Sequence, residues 1–291
     1  MILTYTICNT DISIKQILKE KFYMSDRYIL KLKKNNCIYL NGKSVYINAH
    51  ISNNDELKII DEIEEDNSNI LPSENIKINI VYEDNFLLVV NKQPGIPVHP
   101  SMAHYQDSLS NGVRLYFDKI GLKKKIRPVN RLDKDTSGLV IFAKNEYIQE
   151  CLIRQMKLGI FKKKYIAFLE GILDKKSGTI NSPISRKEGS IIERCIDKSG
   201  DVSISHYNVL NELQNFSIVE FSLETGRTHQ IRVHSKHIGH PIIGDSLYGR
   251  PSNLISRQAL HAYYIIFIHP VTQEKMEFKI ELPEDMQKLI I

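Results

Sequence analysis

The residues best suited to chemistry lie together in Arg127-Pro128-Val129-Asn130-Arg131-Leu132-Asp133-Lys134-Asp135-Thr136-Ser137-Gly138, directly ahead of the apolar run Leu139-Val140-Ile141-Phe142. A polar loop held against a buried strand is a place where a scaffold can fix reactive groups. An ionised carboxylate there can attack as a nucleophile and later depart as a leaving group. Two other readings fit the same residues. Asp133-x-Asp135-Thr136 loosely matches an aspartyl phosphotransferase signature, although the threonine falls one position early and no apolar strand precedes the aspartate. Alternatively, Asp, Thr and Ser simply cap a turn ahead of the strand. Just upstream, Lys123, Lys124, Lys125 and Arg127 form a basic run that can hold a phosphate backbone or stand idle in solvent. His229, His234, His237 and His240 invite a zinc reading, but their spacing fits no common structural pattern and no cysteine or acidic residue completes a set. Arg227 and Arg232 among them would repel a cation, so no metal is expected.

The elements that must position these residues follow from periodicity. Strands are expected at 78–82, 86–90, 139–142, 165–169, 218–223 and 263–268, and helices at 108–117, 145–157 and 228–237. Connections of irregular length, without strand–helix alternation, predict an α+β domain around a mainly antiparallel or mixed sheet. Ahead of it, Ile14, Ile17, Leu18 and Phe22 fall on one helical face behind a Ser13–Gln16 capping box. A second helix starts at Ser25, turning Tyr28, Ile29 and Leu32 inward and leaving Arg27, Lys31, Lys33 and Lys34 to solvent. Residues 37–47 read as a hairpin through Asn41-Gly42, the dipeptide of a type I′ turn. Residues 1–60 thus form a small helix–helix–hairpin module. Residues 61–75 hold six acidic groups and no basic one, a linker whose like charges repel and leave little to bury. The second domain occupies 76–291.

Bulk properties bound the class. With 291 residues, 42% hydrophobic and 25% charged, the chain can build a real core. The net charge of +5 divides into two basic blocks around the acidic break, which suits contact with a polyanion. No apolar run approaches the ~18–20 residues of a membrane-spanning helix. The N-terminus lacks the pattern of a secretory signal. Cys8, Cys37, Cys151 and Cys195 are scattered and suit reduced thiols, so a cytoplasmic location is expected.

Several stretches together resemble one family. Arg131-Leu132-Asp133-Lys134-Asp135-Thr136-Ser137-Gly138-Leu139 is similar to the signature of the RluA/RluD family of RNA pseudouridine synthases. Asn91-Lys92-Gln93-Pro94-Gly95, Lys164-Tyr165-Ile166-Ala167, the run from Thr225 to His234 with Gly244-Asp245-Ser246-Leu247-Tyr248-Gly249, and Leu260-His261-Ala262 resemble its other motifs, in family order. The resemblance implies isomerisation of uridine to pseudouridine without cofactor or metal. It implies Asp133 as nucleophile, attacking C1′ of the ribose or C6 of the base. Arg232 would be the cation beside it, Tyr165 the ring that stacks on the base and helps proton removal from C5, Leu260 the packing beneath, and Arg131 the side chain that fills the vacated stack. Asn130 departs from the histidine of the best-known members, which affects how the loop grips RNA. Residues 1–60, with Lys43 in the hairpin, resemble a small ribosomal-protein-type RNA-binding module, so the expected partner is RNA, large-subunit ribosomal RNA ahead of transfer RNA. The rival from another class is a non-catalytic RNA-binding or ribosome-assembly factor on the same fold.

Overall fold

The structure, a computed structural model, describes residues 1–8 and 10–290. In chain order the elements are β1 (Ile2–Thr6), α1 (Ile14–Glu20), α2 (Asp26–Lys34), β2 (Ile38–Leu40), β3 (Lys43–Ser44), β4 (Glu56–Ile60), β5 (Asn79–Glu83), β6 (Leu87–Lys92), α3 (Leu109–Lys119), β7 (Ser137–Ala143), α4 (Glu146–Lys157), β8 (Lys162–Glu170), β9 (Ser177–Asn181), β10 (Ile184–Arg186), β11 (Arg194–Ile196), β12 (Ile204–Leu213), β13 (Phe216–Leu223), α5 (Gln230–His237), β14 (Leu260–Ile268), β15 (Lys275–Lys279) and α6 (Glu284–Gln287).

Local chemistry accounts for the N-terminal part. The Ser13 hydroxyl accepts from the Gln16 amide while the Gln16 side chain accepts from the Ser13 amide, closing the capping box of α1. Ser25 caps α2 through the Tyr28 N–H. Asn41 and Gly42 both take positive φ, as a type I′ turn demands. The expected hairpin is shorter than its apolar residues imply, since β3 ends at Ser44 and Val45 adds only one amide bond to Ile38. Strands β1, β4, β2 and β3 form a four-stranded antiparallel sheet in that order, so two strands accompany the helix pair and hairpin.

The larger sheet runs β5-β6-β7-β14-β8-β13-β12-β9, with β15 beside the later part of β14. Every ladder in it is antiparallel except the short β7–β14 contact, giving the expected α+β architecture on a mixed sheet. Side chains alternate between two layers. Leu88, Val90, Val140 and Phe142 pack with Leu109, Val113 and Phe117 of α3. Leu87, Val89, Leu139 and Ile141 pack with Ile148 and Leu152 of α4, in the layer that continues into the N-terminal module. Strand β7 is buried along its whole length, which explains its unbroken apolar run. Where it meets β14, Gly138 has φ +123°, and a Cβ there would lie 2.3 Å from the Ala262 carbonyl oxygen. Only glycine permits that approach.

Residues 61–75 contain no helix or strand, yet they do not stand off in solvent. Asp61 accepts from the buried Tyr28 hydroxyl at 2.6 Å. Glu65 takes a bidentate pair from Arg127 at 2.6 and 2.7 Å and a bond from Lys31 at 2.5 Å. Asn67 is buried and joins the backbone at Lys124 and Ile126. The expectation of a repelling, unburied linker fails because cations from both flanking parts neutralise it.

Candidate active site

A cleft of about 660 Å³ gathers the nucleophile loop, the start of β8, the end of β13 and the start of α5. Asp133, Tyr165, Arg232, Arg131 and Leu260, separated by up to 129 positions in sequence, all line it.

The loop bearing Asp133 is held from behind. Lys92, wholly buried at the end of β6, donates to the carbonyls of Gln93, Ile96 and Lys134 at 3.0, 2.8 and 2.8 Å. Burial lowers its pKa to about 7, while the charges of Asp135 and Asp133 oppose the fall. Three carbonyl acceptors match the three N–H bonds of an ammonium, and the tether fixes the residue next to the nucleophile. Asn130 performs a similar task on the other side. Its amide donates to Leu139 O at 3.0 Å and accepts from Ile141 N at 2.9 Å. At this position the chain uses asparagine to continue the backbone pairing of β7.

Arg232 on α5 is the cation beside Asp133. Its Nη1 donates to Asp133 Oδ2 at 3.3 Å. Its strongest bonds go elsewhere: Nε and Nη2 bind the two oxygens of Asp245 at 2.7 and 2.8 Å. Asp245 is fully buried and also accepts the N–H groups of Leu247 and Tyr248 at 3.1 Å each. The bidentate fork therefore serves the buried Asp245 carboxylate, leaving one corner of the guanidinium for Asp133. Gly244, at φ +74°, sets this turn, and a Cβ there would lie 2.3 Å from the Arg257 carbonyl.

Histidine 229 enters the same site. The Tyr248 hydroxyl accepts the Arg194 N–H at 2.8 Å and hydrogen-bonds His229 Nδ1 at 2.7 Å, while the other ring nitrogen, Nε2, faces Asp133 Oδ2 at 4.0 Å. Burial holds this imidazole below its usual pKa, with Asp133 pulling the other way, so it stands neutral near pH 7. Among its neighbours, His234 bonds Ser205 and the Ser182 carbonyl, and His240 bonds the Glu170 carbonyl.

Tyr165 is buried on β8. Burial and the Asp133 charge raise its phenol above its ordinary range, so it stands protonated. Its hydroxyl has no hydrogen-bond partner among the described residues. A protonated ring in this position suits stacking better than immediate proton abstraction. Arg131 is exposed at the lip and borders a second, arginine-rich cleft formed with Arg186, Arg194 and Arg227.

The remaining basic candidates lie outside the cleft. Arg127 is locked to Glu65, Lys124 donates to Ile63 O at 2.7 Å, Lys123 pairs with Glu64 at 3.1 Å, and the Lys125 backbone joins Glu65 at 3.3 Å. Lys31 is shared between Glu65 and Glu146, and Arg27 reaches Glu146 at 3.4 Å. Lys33, Lys34 and Lys43 are exposed and make no ion pair among the described residues. Asp245, Tyr248, His229 and Lys92 were given no role at this site from the sequence, although the motif-like runs Asn91–Gly95, Thr225–His234 and Gly244–Gly249 contain them.

A family model described as RNA pseudouridylate synthase matches residues 86–237. The chain is 40% identical over 253 residues to an uncharacterized RNA pseudouridine synthase, YjbO, of Bacillus subtilis, covering 87% of this chain and 89% of that protein. It is 36% identical to the ribosomal large subunit pseudouridine synthase D of Buchnera aphidicola, covering 96% and 93%. Among solved structures, human RNA Pseudouridylate Synthase Domain Containing 1 superposes with a TM-score of 0.57 at 29% identity, covering 70% of this chain and 83% of that one. With a family match spanning more than half its residues, and the loop, arginine and tyrosine converging on one cleft, the chain belongs to the RluA/RluD family of RNA pseudouridine synthases.

Proposed function

We propose that this protein converts uridine in RNA to pseudouridine with Asp133 as nucleophile, and that its substrate is large-subunit ribosomal RNA. The observation that carries the reading is the Asp133 carboxylate, partly open to the cleft, with Arg232 at 3.3 Å and Tyr165 lining the same space. The carboxylate attacks at C1′ or C6, the N1–C1′ bond breaks, the freed uracil turns, C5 bonds to C1′, the carboxylate departs as its own bond breaks, and the C5 proton is lost while N1 gains one. No electron or phosphate is exchanged, so the residues present suffice. Arg232 offsets the nucleophile's charge, Tyr165 stacks on the base, and Leu260 packs beside it. The target uridine must be everted at a cost of a few kcal/mol. Arg131, exposed at the lip, fills the space it leaves.

Ribosomal RNA is favoured by the relatives named for the large subunit. Residues 1–60 act as an RNA-binding module, with Lys33, Lys34 and Lys43 offering free positive charge. Four free cysteines suit work in the reducing cytoplasm. The test is incubation with RNA tritiated at uridine C5. Wild-type protein should release label to water, and Asp133→Asn should release none while melting within a degree or two of wild type. Label release by Asp133→Asn, or none by wild type from total ribosomal RNA, would overturn the proposal.

A further inference from the structure

Lys163 lines the cleft from β8, two residues before Tyr165 and on the same face of the strand. Of the other lysine and arginine side chains of the cleft, Arg232 is clamped by Asp245, Arg227 reaches Asp201 at 3.5 Å, and Arg131 stands exposed to solvent rather than buried. Lys163 is partly buried and makes no hydrogen bond or ion pair among the described residues. Burial alone lowers its pKa, to about 8, with no contribution from Asp133 or any other acid. By contrast, its neighbour Lys164 turns to the opposite face and pairs with Glu220 at 3.0 Å. An ammonium half removed from water without a counter-ion is costly. That cost is offset when the ligand brings the counter-ion.

Granting the proposed reading of the chain as an RNA-acting enzyme, we infer that Lys163 binds a phosphate of the substrate strand next to the everted uridine. The ligand class is a phosphodiester, and the role is positioning of the nucleotide against Tyr165. Lys163 makes no bond to Asp133 or Tyr165 among the described residues, which argues against acid–base duty and for a contact along the backbone.

The experiment uses the full chain with Lys163→Met, which keeps the apolar stem, and Lys163→Arg, which keeps the charge. Tritium release gives kcat and KM. RNA binding by the Asp133→Asn protein, with and without Lys163→Met, is measured across a salt series. Lys163→Met should raise KM and the dissociation constant roughly tenfold with kcat within about twofold, as loss of one charged hydrogen bond predicts. The slope of log affinity against log salt should fall by about 0.7, one phosphate on a single strand. Lys163→Arg should restore both. An unchanged salt slope, or a fall in kcat at constant KM, overturns the inference. Inactivity of the wild type would instead sink the functional reading, and the salt slope would still report on Lys163.

Discussion

Replacement of Asp245 by asparagine tests whether the active-site arginine is held in place by a carboxylate that never meets substrate. Asparagine keeps the shape and keeps one oxygen for the N–H groups of Leu247 and Tyr248 and for Arg232 Nη2. Its amide nitrogen, however, must face Arg232 Nε, where the carboxylate oxygen accepted a bond at 2.7 Å. A donor then opposes a donor, and a guanidinium whose side chain is only 8% exposed loses its main anion. Breaking such a buried pair costs about 3–5 kcal/mol. For a domain of this size that is a fall in Tm of roughly 6–20 °C, at ~2–4 °C per kcal/mol. The freed guanidinium retains only Asp133, and displacement of either group by about 1 Å predicts a loss of up to ~100-fold in kcat. KM should change little, since Asp245 is wholly buried. Calorimetry and tritium release read the two effects. In an Arg232→Met background the same Asp245→Asn change should cost far less, because no charge remains to be orphaned. Additive losses in that cycle, or a single variant with wild-type Tm and kcat, would refute the clamp.

Glu65 predicts a pH dependence of stability. Burial opposes its ionisation, but bonds from Arg127 and Lys31 outweigh this and hold its pKa at about 2, against an ordinary 4.5. The unfolded chain therefore takes up this proton first as pH falls. Roughly 3 kcal/mol of stabilisation is fully present above about pH 4.5 and disappears by about pH 2. Urea midpoints across that range should fall less steeply for Glu65→Gln than for wild type, and parallel curves would reject the assignment. Gly138→Ala should destabilise by at least about 3 kcal/mol, from its positive φ together with the clash on Ala262, and normal soluble yield with an unchanged midpoint would contradict it. Asn130→Ala leaves the Leu139 carbonyl and the Ile141 amide unpaired and should cost about 2 kcal/mol in urea denaturation with KM for RNA unchanged. A large rise in KM at full stability would instead make Asn130 an RNA contact.

The sequence alone determined whatever depends on neighbours along the chain. Apolar spacing located α1, α2, α4 and most strands of the large sheet, because a helix or strand repeats its own period. The capping box at Ser13 and the turn at Asn41-Gly42 were legible because their bonds join residues at most three apart. The nucleophile loop could be read because its reactive groups are contiguous. Tertiary structure decided which charges meet. Arg232 appeared as the partner of Asp133, 99 positions away, yet its fork closes on Asp245, 13 away across a glycine turn. Residues 61–75 carried six acids and read as mutually repelling, but Arg127 and Lys31 arrive from either side to neutralise Glu65. The same folding draws the basic run at 123–127 toward the acids and leaves Lys163, unremarkable in a row of three lysines, without a counter-ion among the described residues. Ion pairing depends on distance and on how much water remains between groups, and a linear order of residues contains neither until the chain has folded.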